Sequence, residues 1–118
     1  MLKAIFRTFS SLAKEKVLQD IAKHNVLVYS KTYCPYCERA KRKLQSMEIK
    51  FQNYEIDKLP DGNEIENALF EITKQETVPN IFVTGMHIGG NSDLVKAIKD
   101  NKIQELLTKA KVHFKEDS

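Results

Sequence analysis

Several things are scarce in this 118-residue chain: it has two cysteines, three histidines and no tryptophan. Two cysteines cannot build the multi-bridge framework of a small secreted domain. A structural zinc site needs four ligands, usually two close cysteine pairs. Only one such pair exists, and His24, His87 and His113 are too scattered to complete it, so no metal is expected. No apolar run approaches the ~18–20 residues of a membrane-spanning helix, so no membrane is expected either. Charge of one sign is not in excess: 19 Lys and Arg against 16 Asp and Glu leave +3 from scattered lysines, which describes a solvated surface and not a partner for nucleic acid. Internal repeats and low-complexity tracts are absent as well.

What is present is a soluble globular composition, 42% hydrophobic and 30% charged, at a length that suits one domain with one modest core. Both cysteines fall in Lys31-Thr32-Tyr33-Cys34-Pro35-Tyr36-Cys37. The preceding Val26–Ser30 reads as a strand buried on both faces, because it is β-branched and aromatic without strict alternation. The following residues, Glu38 to Met47, read as a basic helix whose inner side carries Ala40, Leu44 and Met47. A Cys-X-X-Cys pair in a strand-to-helix turn is a redox arrangement and suggests a reducing compartment.

Position on the helix separates the two sulfurs. An ordinary cysteine, with a pKa of about 8.5, is only ~3% thiolate at pH 7. A sulfur at a helix start sits over unpaired N–H groups and the positive end of the dipole, which favours the anion. Cys34 is therefore the expected nucleophile, helped by the nearby Lys31 cation. Cys37, a turn further in and more shielded, is the expected resolving thiol. Pro35 suits the first turn, where the donor it lacks would be unpaired anyway.

The remaining segments supply the rest of a domain. Ser10 or Ser11 to His24 reads as a helix with an apolar stripe, and His24 as a charge at its end. Phe51 to Asp57 reads as a second strand, parallel to the first. Asp61 and Glu64 resemble a capping box opening a helix with Ile65, Leu69 and Ile72 inside. Asn80 to Val83 and Met86 to Ile88 should form an antiparallel hairpin across Thr84-Gly85. Asn91 or Ser92 should cap another helix, and a last one spans about Lys102 to Lys111. The predicted fold class is α/β, a four-stranded mixed sheet flanked by helices on both faces. Residues 1–11 form an N-terminal extension, 12–112 the domain, and 113–118 a polar tail expected to fray. Residues 1–14 contain three bases and no acid, with apolar residues on one helical face, a pattern shared with mitochondrial transit peptides.

Three of these segments together resemble the dithiol glutaredoxins, most closely the fungal type, across roughly residues 12–110. They are Lys31 to Cys37, Thr77-Val78-Pro79-Asn80, and His87-Ile88-Gly89-Gly90-Asn91-Ser92-Asp93-Leu94. The resemblance implies a thioredoxin-like fold, and glutathione as the reducing co-substrate of a thiol–disulfide oxidoreductase. It implies glutathionylated and disulfide-containing proteins as partners, a monomer, and a cytoplasmic location, or a mitochondrial one if residues 1–14 act as a transit peptide. Couples of this family lie at about −200 to −230 mV and rest reduced against cytosolic glutathione. In the implied reaction Cys34 attacks a glutathionylated target, releases its thiol and becomes joined to glutathione. A second glutathione then clears Cys34, or Cys37 intervenes to form the Cys34–Cys37 disulfide.

The resemblance also implies glutathione contacts. Pro79 is expected to be cis, with Thr77 and the Val78 backbone beside the extended peptide as an added strand. Ser92 and Asp93 are expected at the γ-glutamyl end, Ser92 toward its carboxylate and Asp93 toward its ammonium, unless they only cap and charge their helix. Lys31 and Tyr36 are expected at the glycine carboxylate. Two departures stand out. Glu66 replaces a common glutamine, which implies weaker binding of the glycine end unless it turns to Lys31 or solvent. Lys74 replaces a common glycine. Two rivals fare worse. A thioredoxin proper usually has tryptophan before Cys-Gly-Pro-Cys, and an iron–sulfur carrier usually has CGFS or small residues where Pro35 and Tyr36 stand.

Overall fold

The central strand β1 (Val26–Ser30) is buried along its whole length and its side chains feed two cores. Successive residues of a strand point to opposite faces. Val26 and Val28 accordingly enter one apolar cluster, while Leu27 and Tyr29 enter the other. This is a computed structural model, which describes the backbone of residues 2–116 and the side chains of residues 12–116. Of the apolar residues near the start that suggested a targeting segment, Leu2, Ile5, Phe6 and Phe9 lie outside the described side chains, and Leu12 is exposed.

Strand β2 (Gln52–Glu55) runs parallel to β1, with Leu27 opposite Gln52 and Ser30 opposite Glu55. On the other side β3 (Asn80–Val83) is antiparallel to β1, and β4 (Met86–Gly89) is antiparallel to β3, for a sheet order β2-β1-β3-β4. Helices α1 (Leu2–Lys23) and α3 (Gly62–Thr73) cover one face, with Val17, Ile21, Ile65 and Leu69 packed on Leu27, Tyr29 and Phe82. Helices α2 (Pro35–Ser46), α4 (Asn91–Lys99) and α5 (Lys102–Lys109) cover the other, with Leu44, Leu94, Ile98, Ile103 and Leu107 on Val28, Ile81 and Val83. Each such fully buried Leu or Ile contributes on the order of 1.5–3 kcal/mol. The thioredoxin-like arrangement expected from the sequence is the one observed. Among the described residues no helix is long and apolar enough to cross a membrane.

The differences lie at element ends. Helix α1 begins at Leu2, well before the serines read as its start. The second strand stops at Glu55, and Ile56–Lys58 turn into a 3-10 segment that buries Ile56. Asp61 is the N-cap of α3 but its side chain caps nothing, because it takes an ion pair from Lys16 at 3.3 Å instead. Gly90, not Asn91 or Ser92, is the N-cap of α4. The C-terminal segment is docked as far as it is described. Phe114 packs on the core, Lys115 N–H donates to Met47 O at 2.7 Å, and His113 meets Glu48 at 3.1 Å. His24 lies 3.9 Å from Asp20, one turn back at the end of α1.

Candidate active site

The turn from β1 into α2 is held from outside. Cys34 N–H donates to Lys31 O at 3.2 Å, closing the turn. Thr32 donates its N–H to Asp57 Oδ1 at 3.0 Å and its hydroxyl to Asp57 Oδ2. These contacts hold the Asp57 carboxyl below its ordinary value, the Thr32 hydroxyl being the largest cause. Asp57 belongs to the short 3-10 segment, so leaving the strand early is what brings its carboxylate to the turn.

Cys34 is the N-cap of α2, with extended backbone (φ −104°, ψ 107°), and Pro35 follows inside the first turn. Its Sγ accepts the Cys37 N–H at 3.1 Å, so the sulfur occupies the place of a capping oxygen. The helix dipole and the free N–H groups converge on that atom, the physical basis for a reactive thiol. Across the gap its thiol lies 3.6 Å from Val78 O. Cys34 is partly exposed, whereas Cys37 is fully buried. Burial, then the neighbouring Cys34, push the Cys37 thiol up to about 12, against an opposing hydrogen bond from the Lys31 backbone. One sulfur is open and capped by N–H; the other is shut in and held protonated.

Beside Cys34 lies a cleft of about 580 Å³. One wall is Thr77, Val78 and Pro79, with the Val78–Pro79 peptide cis as expected. Gln75 braces this wall by donating to both Thr77 O and Pro79 O at 2.9 Å. The opposite wall is the start of α4, with Asn91, Ser92 and Asp93. Gly90 N–H donates to Asp93 Oδ2 at 2.9 Å, so Asp93 does cap its helix, while Ser92 is exposed within the first turn. Gly89 has φ +119°, and a Cβ there would lie 2.4 Å from Asp93 Oδ2. Only glycine therefore lets Asp93 fold back. Tyr36 closes the near end of the cleft, its ring 5.2 Å from the Arg39 guanidinium carbon.

The structure thus gathers Tyr36, Thr77, Val78, Pro79, Ser92 and Asp93 on one cleft next to Cys34, with Cys37 beneath. Lys31 stands differently. It does not line the cleft but is ion-paired to Glu66 at 3.0 Å, which raises its pKa, the hydrogen bond being the largest cause. Glu66 has turned to Lys31. Asn91 lines the cleft within the expected turn, whereas sequence reasoning missed Gln75 in the cleft, Asp57 at the turn, and Glu55, which pairs with Lys41 at 3.0 Å. The one available signal was acidic: Glu55 and Asp57 flank Ile56 at the end of a strand that points toward the motif.

A glutaredoxin family profile matches residues 26–88, which include the paired cysteines, the cis-proline wall and most of the final hairpin. The chain belongs to the glutaredoxin family. Its relatives include glutaredoxin-C2 of Arabidopsis thaliana, 44% identical over 99 residues that cover 84% of this chain and 89% of the relative. Glutaredoxin-2 of the fungus Schizosaccharomyces pombe is 39% identical over 102 residues, 86% of this chain and 93% of that one. Plant and fungal glutaredoxins thus resemble it to a similar degree. Among solved structures, a buckwheat glutaredoxin–glutathione complex superposes with a TM-score of 0.85 at 35% identity, over 89% of this chain and 96% of the other. Glutaredoxins are thiol–disulfide oxidoreductases, and the paired cysteines described above are the group such an enzyme needs.

Proposed function

We propose that this chain uses glutathione to reduce glutathione mixed disulfides and protein disulfides, with Cys34 attacking and Cys37 resolving. The observation that carries the reading is the Cys34 sulfur itself, capping α2 and facing Val78 at the edge of a peptide-sized cleft. In a mixed disulfide Cys34 attacks the glutathione sulfur, the target leaves as a thiol, and a Cys34–glutathione disulfide remains. A second glutathione attacks that adduct, giving glutathione disulfide and free Cys34. For a protein with its own disulfide, Cys37 is needed to release the target from Cys34.

An extended tripeptide spans at most about 10–11 Å, and the cleft offers it polar groups along its walls. The Val78 backbone presents an edge to the peptide in the manner of an added strand. The γ-glutamyl carboxylate goes to the first turn of α4, where Ser92 supplies N–H and hydroxyl and the dipole favours an anion. Asp93 Oδ1 takes the ammonium while Oδ2 keeps its bond to Gly90. Tyr36 flanks the cysteine, and the glycine end extends toward Lys31. The working unit is a monomer in the cytoplasm, or in mitochondria if residues 1–14 are a transit peptide. The mass of the native N-terminus and sedimentation of the purified protein test these two points.

The central test is turnover of a glutathione mixed disulfide. Cys34→Ser should abolish it and Cys37→Ser should retain it. If Cys37→Ser alone abolished turnover, the assigned roles would be wrong.

A further inference from the structure

Around Cys37 lies a charged cluster that the exchange reaction, as described, does not use. Lys41 follows Cys37 by one helical turn on the same face of α2. Its Nζ reaches Glu38 Oε1 at 2.9 Å and Glu55 Oε1 at 3.0 Å. Glu55 ends β2, in register with Ser30 at the end of β1. The next residue, Lys31, has its backbone close enough to the Cys37 sulfur to oppose the rise of its pKa. Glu55 therefore comes from the sheet side, and Lys41 from the helix side, to meet one helical turn from the buried thiol. Asn53 Nδ2 donates to Glu55 Oε1 at 2.9 Å, and the Ser30 hydroxyl donates to Asn53 Oδ1 at 2.8 Å. The second oxygen, Glu55 Oε2, is shielded from solvent and accepts no hydrogen bond. A charge on an atom so placed is screened less than one on the surface.

We propose that the Glu55–Lys41 pair governs how readily Cys37 closes onto Cys34, the Glu55 carboxylate slowing closure and so prolonging the Cys34–glutathione adduct. This rests on the glutathione-dependent reading above. The groups that act on Cys37 are Cys34 from α2, the Lys31 backbone at the end of β1, and Glu55 from β2, whose partner Lys41 lies one turn along α2 and also pairs with Glu38. Helix α4 contributes apolar Leu94 and Ala97 to the same core. Burial is the largest influence on Cys37, and the charge of Glu55 acts in the same direction. In the closure step the Cys37 thiolate attacks Cys34 sulfur in the adduct. The Cys34–glutathione bond breaks, the Cys34–Cys37 bond forms, and glutathione leaves as a thiolate that takes up the proton Cys37 gave to solvent. No outside oxidant is required. While Cys37 stays protonated, the adduct waits for a second glutathione, and the enzyme runs mainly through Cys34 alone.

The test uses the full chain with Glu55→Gln, Glu55→Asp and Lys41→Gln. Reduced protein is mixed with a glutathionylated peptide and quenched in acid at intervals. Mass spectrometry then follows conversion of the adduct to the internal disulfide between about pH 6 and 9, the range that brackets thiol ionisation. Each unit by which the Cys37 pKa falls gives tenfold more thiolate. With the lower nucleophilicity of that thiolate this is about threefold faster closure. Glu55→Gln should therefore close faster, by about threefold for each unit its pH profile moves down. Glu55→Asp should keep the native profile, and Lys41→Gln should move it the opposite way, with slower closure. General loosening of the fold would move Glu55→Gln and Lys41→Gln in one direction, so that result overturns the proposal, as does an unshifted profile in Glu55→Gln. Absence of any adduct, in Cys37→Ser as well, would instead overturn the glutathione reading itself.

Discussion

Glu66 sits where a neutral partner would leave Lys31 free for a ligand carboxylate, so the change Glu66→Gln separates the two roles of that lysine. The Lys31–Glu66 pair is 3.0 Å long, with Lys31 20% and Glu66 42% exposed. The exposure of Glu66 argues against a large energy, and pairs of this kind are worth about 0.2–1 kcal/mol. Freeing Lys31 and removing an anion beside the glycine carboxylate together give an upper figure of about 1 kcal/mol. At about 1.4 kcal/mol per tenfold, that is an increase in affinity of up to about fivefold. The assay is the KM for glutathione in mixed-disulfide turnover, run at low and high salt and repeated with the glycine ethyl ester of glutathione. The gain should appear at low salt and shrink at high salt, because a Debye length of about 3 Å at about 1 M screens exposed charges. With the ester it should vanish. Unchanged or weaker glutathione affinity in the mutant, or an equal gain with the ester, would refute the placement of the glycine end at Lys31.

Other perturbations read other parts of the site. Asp57→Asn removes the charged acceptor of the two Thr32 bonds and should slow alkylation of Cys34. The Asp57 carboxyl is held below its ordinary value, so its contribution to stability is complete above about pH 4 and is lost as pH falls through its lowered pKa. The unfolding free energies of the native protein and of Asp57→Asn should therefore converge only in strong acid. Gly89→Ala drives a Cβ into Asp93 Oδ2, so α4 should lose its cap at a cost of about 1 kcal/mol, lowering Tm by roughly 4 °C in a domain of this size and raising KM for glutathione. Iodoacetamide at neutral pH should label Cys34 while leaving Cys37 unmodified, because Cys37 is both buried and pushed up to about 12; peptide mapping checks this, and equal labelling would contradict it.

What can be read from the chain follows a physical rule. Val26–Ser30 and Asn80–Val83 are legible to the residue because a strand buried on both faces must be continuously apolar and β-branched. Cys34, Pro35 and Cys37 are legible because their spacing only makes sense at a helix start. Caps are less so. Asp61 and Ser92 are both good capping residues by type, but Lys16 engages the first, and the second sits inside a helix already capped through Asp93. Such outcomes depend on neighbours distant in the chain. The same holds for the Asp57–Thr32 contacts, the Glu55–Lys41 pair and the docking of Phe114, each of which joins residues that no local pattern connects. Lys74 offers a contrast. Its φ of +64° at the end of α3 is the conformation glycine adopts without strain, which explains why a glycine suits that position and why lysine there is a departure.

A sulfur that serves as a helix cap ties the redox state of this protein to its folding stability. In the reduced chain Cys34 Sγ receives the Cys37 N–H at the positive end of α2. Once that sulfur is locked in a disulfide it carries no charge and is a poorer acceptor, so α2 loses part of its cap whenever the enzyme is oxidised. By the thermodynamic cycle connecting the two forms, any stability lost on oxidation appears as an equal bias of the couple toward the dithiol. Roughly each 1.4 kcal/mol of such capping corresponds to about 30 mV of potential. The difference between the unfolding free energies of reduced and oxidised protein, corrected for loop closure in the unfolded chain, is thus a voltmeter reading taken with a denaturant.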